Sequence, residues 1–179
     1  MLYIADTALV IIDIQGKLAQ SMHEKQNLFR NVSILIESAK ILDIPILWCQ
    51  QVPEALGPTV EQIACLLDEY QPINKSSFNC CDCEEFTKRL EKIGRKQLLL
   101  TGIEAHICVY QTAIQLHAQS YQPYVIADAV SSRTLDNKNI AMSRLASEGV
   151  KIASTEMVLF ELLRSADHPK FKQIAKLVK

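Results

Sequence analysis

The chain has 179 residues, 49% of them hydrophobic and 22% charged, and a formal net charge of −1. That length suits one domain, residues 1–179, with one sizeable core. A sequence pI near 6.4 implies no broad basic surface, so nucleic acid is not an expected partner. No stretch reaches the roughly 18–20 uncharged apolar residues of a bilayer span, so a membrane is not expected either.

Met1–Gln15 has no basic segment before its apolar run, and Asp6 and Asp13 interrupt that run. It reads as a strand rather than a signal peptide, and the cytoplasm is the expected compartment. Ala8–Ile12 is a continuous apolar run, as in a strand buried on both faces. Asn27–Leu42 places Leu28, Val32, Leu35, Ile36, Ala39 and Leu42 at helical spacing. Pro45–Cys49 is the next strand, Gln50–Thr59 with two prolines and a glycine is a loop, and Thr59–Leu67 is a short helix. Pro72–Lys75 is extended and Glu84–Ile93 is an amphipathic helix. Gln97–Thr101 is the cleanest central strand, and His106–Ala118 is a largely apolar helix. Pro123–Ala127 and Val150–Ala153 are strands around the helix Asn137–Glu148, which Gly149 caps. Thr155–Leu163 and Lys170–Val178 are closing helices.

This alternation predicts an α/β fold: a three-layer α/β/α sandwich around a mostly parallel, Rossmann-like sheet of six strands. Ligands in such folds bind beyond the C-terminal strand ends. The informative residues are therefore the polar ones just after each apolar run.

Asp13 follows ALVII, where a carboxylate is costly without a partner; the bland reading is a turn or N-cap. Lys75 follows Pro72-Ile73-Asn74, and alone would pass for a solvated loop residue. Cys108 lies seven residues past Thr101, in the expected first turn of a helix, where free N–H groups favour a thiolate. An isolated cysteine is more often core. Together the three place a carboxylate, a cation and a thiol at three strand ends, enough for nucleophilic catalysis.

The other cysteines are expected to be free thiols. Cys80, Cys81 and Cys83 form C-C-x-C, which lacks the paired spacing of zinc sites. The five glycines build neither G-x-G-x-x-G nor a P-loop, so no nucleotide cofactor is expected.

The segments V-I-I-D-I-Q ending at Gln15, I-N-K-S-S-F from Ile73, T-G-I-E-A-H-I-C-V-Y-Q-T from Thr101 and D-A-V-S-S-R from Asp128 carry a resemblance. Together they resemble the isochorismatase-like (cysteine) hydrolases, over nearly the whole chain. The tail T-E-M-V-L-F-E-L-L with D-H-P-K-F-K is most similar to the isochorismatase-domain-containing proteins of animals and protozoa. The resemblance implies a hydrolase with a triad of Asp13, Lys75 and Cys108, and homo-oligomers. It also implies a cis peptide between Ile103 and Glu104 that turns N–H groups toward an oxyanion.

Members that hydrolyse nicotinamide carry an Asp and two His as metal ligands after the second strand. Here Gln50–Leu56 has no histidine, so neither a bound metal nor that substrate is expected. Members that cleave the vinyl ether of isochorismate lack the cysteine, so Cys108 favours acyl transfer on a small amide. His106, two residues before Cys108, is better placed as a wall or turn residue than as a Cys–His partner, because i and i+2 do not face each other on a helix. Gln15, Trp48 and Phe78 either line the pocket or fill the core. The competing reading is a vestigial, non-enzymatic member acting through oligomer surfaces.

Overall fold

The computed structural model describes residues 1–179. Its frame is one sheet of six strands: β1 (Thr7–Ile12), β2 (Ile46–Gln51), β3 (Ile73–Lys75), β4 (Gln97–Gly102), β5 (Gln122–Val130) and β6 (Lys151–Ala153). The spatial order is β3-β2-β1-β4-β5-β6, and every neighbouring pair is parallel. The chain builds outward from β1 to one side, then returns to place β4 on the other. The order therefore reverses between β1 and β4, where α/β sheets open a crevice.

Nine helices complete the chain: α1 (Gly16–Gln20), α2 (Lys25–Ile41), α3 (Pro53–Leu56), α4 (Glu61–Ala64), α5 (Glu84–Ile93), α6 (Tyr110–Ala118), α7 (Leu135–Ser147), α8 (Thr155–Leu163) and α9 (Phe171–Leu177). All of β1 is buried, and its side chains alternate between two cores. Leu9 and Ile11 join the apolar faces of α2, α8 and α9. Ala8, Val10 and Ile12 join those of α5, α6 and α7. These are the three expected layers. No helix is long and apolar enough to cross a membrane.

Three local differences from the sequence reading bear on the site. Gln50–Thr59, expected as a loop, holds the end of β2 and the helix α3, which starts on Pro53. The helix expected from His106 is divided: a wide π-turn, Ala105–Val109, precedes α6. β5 runs to Val130 instead of stopping at Ala127. Asp128 interrupts its apolar pattern because its carboxylate is occupied, accepting from the Thr155 N–H and hydroxyl at 2.8 and 2.9 Å.

Candidate active site

Asp13 follows β1 in a left-handed backbone, φ 58°. Val52 after β2 (φ 36°) and Glu104 after β4 (φ 52°) leave their strands the same way. Such residues cost about 1–3 kcal/mol each and persist where surrounding structure fixes them. Here all three lie at the C-terminal edge of the sheet.

Lys75 ends β3, and its ammonium reaches Asp13 at the end of β1, two strands away. It donates to Asp13 Oδ2 at 2.7 Å, Gln51 Oε1 at 2.8 Å and Ser77 O at 3.1 Å, with Phe78 O at 3.4 Å. The Lys75 and Asp13 side chains are 0% and 5% exposed. Asp13 Oδ1 is buried without a hydrogen-bond partner. Cys108, also buried, sits on the π-turn, and Asp13 and Cys108 share the wall of a cavity of about 290 Å³. Lys75 stands behind that wall.

Burial raises the Asp13 pKa above the usual carboxylate value, and Lys75 only partly offsets this. For Lys75, burial works against the charge, but Cys80 and Asp13 outweigh it and hold the ammonium above the ordinary lysine value. Burial, then the charge of Asp13, pushes the Cys108 thiol well up, with Lys75 opposing. This corrects the expectation of a resting thiolate stabilised by a helix start. The thiol is buried beside a carboxylate, and those two effects prevail over the lysine.

Ile103, Glu104 and Phe78 line the cavity, with Phe78 exposed. Gln15, Trp48 and His106 do not. Gln15 is fully buried behind the site. Its Oε1 accepts from Gln51 N–H at 2.6 Å, and its amide donates to Gln51 O at 3.1 Å and Gly57 O at 2.8 Å. Trp48 faces the opposite core and donates to Thr59 Oγ1 at 2.8 Å. His106 turns its Nδ1 to Ser132 Oγ, 2.9 Å away.

The expected cis bond between Ile103 and Glu104 is absent; the peptide is trans. Gly102 (φ 145°) and the left-handed Glu104 make the turn instead, without the roughly 3–4 kcal/mol of a non-proline cis bond. A Cβ on Gly102 would lie 2.2 Å from Ile12 O, so β4 passes too close to β1 for any side chain there. Ile103 N–H donates to Ile12 O and Ala105 N–H to Ser131 O, while Glu104 N–H has no acceptor.

The sequence reading missed Gln51 and Arg133 among the polar wall residues, and Leu18, Leu56 and Ile107 among the apolar ones. The first two had a signal: Gln51 is the second polar residue after the apolar run Ile46–Cys49, and Arg133 closes D-A-V-S-S-R. The apolar three sit on short helices and the π-turn, whose side-chain directions no periodicity gives. The C-C-x-C cysteines fan out, with Cys80 in the core and Cys81 and Cys83 half-buried.

A model of the isochorismatase domain matches residues 7–157, which include Asp13, Lys75 and Cys108. The chain belongs to the isochorismatase family. Isochorismatase domain-containing protein 2 of Danio rerio is 35% identical over 173 residues, 96% of this chain and 86% of that protein. Among solved structures, the MAR1 ribonuclease of Caenorhabditis elegans superposes with a TM-score of 0.92 at 32% identity, covering 99% of this chain and 91% of that one. The YcaC gene product of Escherichia coli, described as an octameric hydrolase of unknown specificity, has the same fold. Its TM-score is 0.92 at 23% identity, covering 98% of this chain and 88% of that one. The isochorismatase-family chain thus has a hydrolase-like fold.

Proposed function

We propose that this chain is a cysteine hydrolase that cleaves the C–N bond of a small amide through a Cys108 thioester. The observation that carries the reading is Asp13: a carboxylate fixed by a buried lysine, with one oxygen unpartnered, on the wall that also holds a buried thiol. Because the thiol is held protonated at rest, its proton leaves as it attacks. Asp13 takes that proton while the Cys108 Sγ–C bond forms. The Glu104 N–H, free of any acceptor, is the oxyanion donor on the Cys108 side. Asp13 then protonates the nitrogen, the C–N bond breaks and the amine departs. Water attacks the thioester as Asp13 accepts its proton; the C–S bond breaks and the thiol is restored. Lys75 keeps Asp13 oriented and compensates its charge.

A phosphodiester reading, which the worm relative's name suggests, finds less support, since Arg133 is the one cationic residue of the wall. We also read residues 1–179 as one domain, homo-oligomeric and cytoplasmic. Met157 and Phe160 leave apolar surface exposed on α8, and six free cysteines suit a reducing compartment. The test is a panel of primary amides and acyl esters scored for ammonia or acid release. Acid-quenched mass spectrometry should find an acyl group on Cys108, and Cys108→Ala should abolish turnover. Undiminished turnover in that variant would sink the mechanism.

A further inference from the structure

β2 has six residues but β3 has three, and the two pair only from Cys49 to Gln51. The first half of β2 therefore has β1 on one side and no strand on the other. Pro45 O accepts from Leu9 N–H and Cys49 O from Asp13 N–H, so the odd-numbered residues turn their peptide groups to β1. The even-numbered residues turn theirs outward. In the register with β3, the Trp48 carbonyl is the first of these groups that β3 covers. The Trp48 N–H and both the N–H and the C=O of Ile46 lie beyond the start of β3, without a hydrogen-bond partner. Ile46 is nevertheless only 7% exposed. Peptide groups on residues this buried are nearly always paired.

The open edge borders a groove of about 450 Å³ between α5 and the Tyr70–Gln71 segment. Its charged residues all lie on α5: the cations Lys88, Arg89 and Lys92, and one carboxylate, Glu85. Arg89 already holds Glu85 at 2.6 Å, and its Nη1 donates across the groove to Gln71 O at 2.7 Å. Lys88 pairs with Glu84 at 2.6 Å, and Lys92 has no ion pair. Edges kept free of partners carry charges, prolines or bulges on the strand itself. Ile46-Leu47-Trp48 carries none, and the cations stand on the helix beside it. A strand laid along this edge would alternate its side chains between the two layers. Leu47 marks the α5 layer, and Ile46 and Trp48 mark the other. One set would meet Lys88 and Lys92, and the other the Tyr70 ring and the apolar surface beside Ile46.

We propose that this edge of β2 is a docking site for an extended acidic segment of another protein, which adds a strand there, with alternate carboxylates on α5 and apolar side chains beside Tyr70. The open peptide groups call for a main chain, and the α5 cations select its charge. The inference is independent of the hydrolase reading and is tested without turnover.

The probe is acetyl-Glu-Val-Glu-Val-Glu-amide, set against its Lys-Val-Lys-Val-Lys counterpart and followed by NMR on isotope-labelled protein. Without peptide, the Ile46 and Trp48 amides should exchange with solvent about tenfold or more faster than those of Leu47 and Cys49, which pair with β1. The acidic peptide should slow both amides about tenfold and bind about tenfold more tightly than the basic one. Alternate amides of a strand face opposite sides. Methylating the amide nitrogens of one set, the glutamates or the valines, should therefore abolish binding, while methylating the other set leaves it within about threefold. Lys88→Glu/Lys92→Glu, on the exposed side of α5, should reverse the order of the two peptides. Absence of binding by the acidic peptide up to about 1 mM would overturn the proposal. So would an equal effect of both methylations, the mark of a loose ionic contact, or unchanged exchange at Ile46 and Trp48 in the bound state. An order of peptides that survives the double charge reversal would overturn the role given to α5.

Discussion

Replacing Lys75 with methionine keeps the aliphatic stem and deletes the ammonium. Asp13 then loses its 2.7 Å partner while remaining buried, and Gln51 Oε1 and Ser77 O lose a donor. Removing one member of a buried ion pair costs about 3–5 kcal/mol. For a chain this long, about 4 kcal/mol lowers Tm by roughly 8–16 °C. The loss should depend on pH, with a definite sign. The Asp13 pKa is already raised in the folded protein, and Lys75 is what lowers it. In the variant it rises further above the unfolded value of about 3.9. A raised folded pKa means stability is greatest below the unfolded value and is lost as pH rises through the folded one. The destabilisation should therefore be smaller at pH 5 than at pH 8. Asp13→Asn/Lys75→Met, which removes both charges, should regain much of the loss. Thermal or urea melts of the three proteins at both pH values measure this. A loss under about 1 kcal/mol, or one equal at both pH values, would refute the account of a buried, mutually dependent pair.

Four further outcomes follow from the same geometry. Asp13→Asn should abolish hydrolysis yet speed alkylation of Cys108 by iodoacetamide at pH 8, because the carboxylate that raises the thiol pKa is gone; peptide mapping by mass spectrometry that found slower labelling would contradict this. In the unsubstituted enzyme kcat/KM should rise with pH as Asp13 ionises, its acid limb lying above the ordinary carboxylate value of about 3.9; a limb at or below that value removes Asp13 as the base. Gly102→Ala should destabilise by about 3 kcal/mol or more in denaturant melts, from a clash with Ile12 O at a left-handed φ. Trp48→Phe loses its bond to Thr59 and should cost about 1 kcal/mol while kcat/KM stays within about twofold; a large kinetic effect would return Trp48 to the site.

The layers were legible because burial on both faces leaves unmistakable runs such as ALVII and QLLLT. The same logic located Asp13, Lys75 and Cys108 at strand ends, though not their protonation, which depends on how deeply each is buried and beside what. Trp48 shows where strand reasoning needed one more step. Along β2, Leu47 and Cys49 belong to the core on the Cys108 side, whereas Ile46 and Trp48 belong to the other. With a period of two, Gln51 and not Trp48 continues toward the cavity. The helices α1 and α3 were unreadable for another reason. Each is too short to have a periodicity of its own, and packing against a neighbouring loop decides its conformation. The turn after β4 likewise depends on contact with Ile12 O, which lies far away in the sequence.

The Gln15 amide has a consequence beyond its absence from the wall. By exchanging both hydrogen bonds with the Gln51 backbone, it adds a surrogate peptide rung where β1 and β2 would otherwise part. Its third bond, to Gly57 O, and the bonds Gly16 N–H to Pro58 O and Val60 N–H to Ile14 O stitch the adjoining loop to the same place. Gly16 lies so close to α3 that a Cβ would fall 2.0 Å from Leu56 O. The mouth of the cavity is thus a preformed mould, and little ordering accompanies the arrival of a substrate. Selection follows fit to an existing shape. Broadening the substrate range of the proposed hydrolase accordingly calls for trimming side chains such as Leu18 or Leu56, not for loosening the loops that carry them.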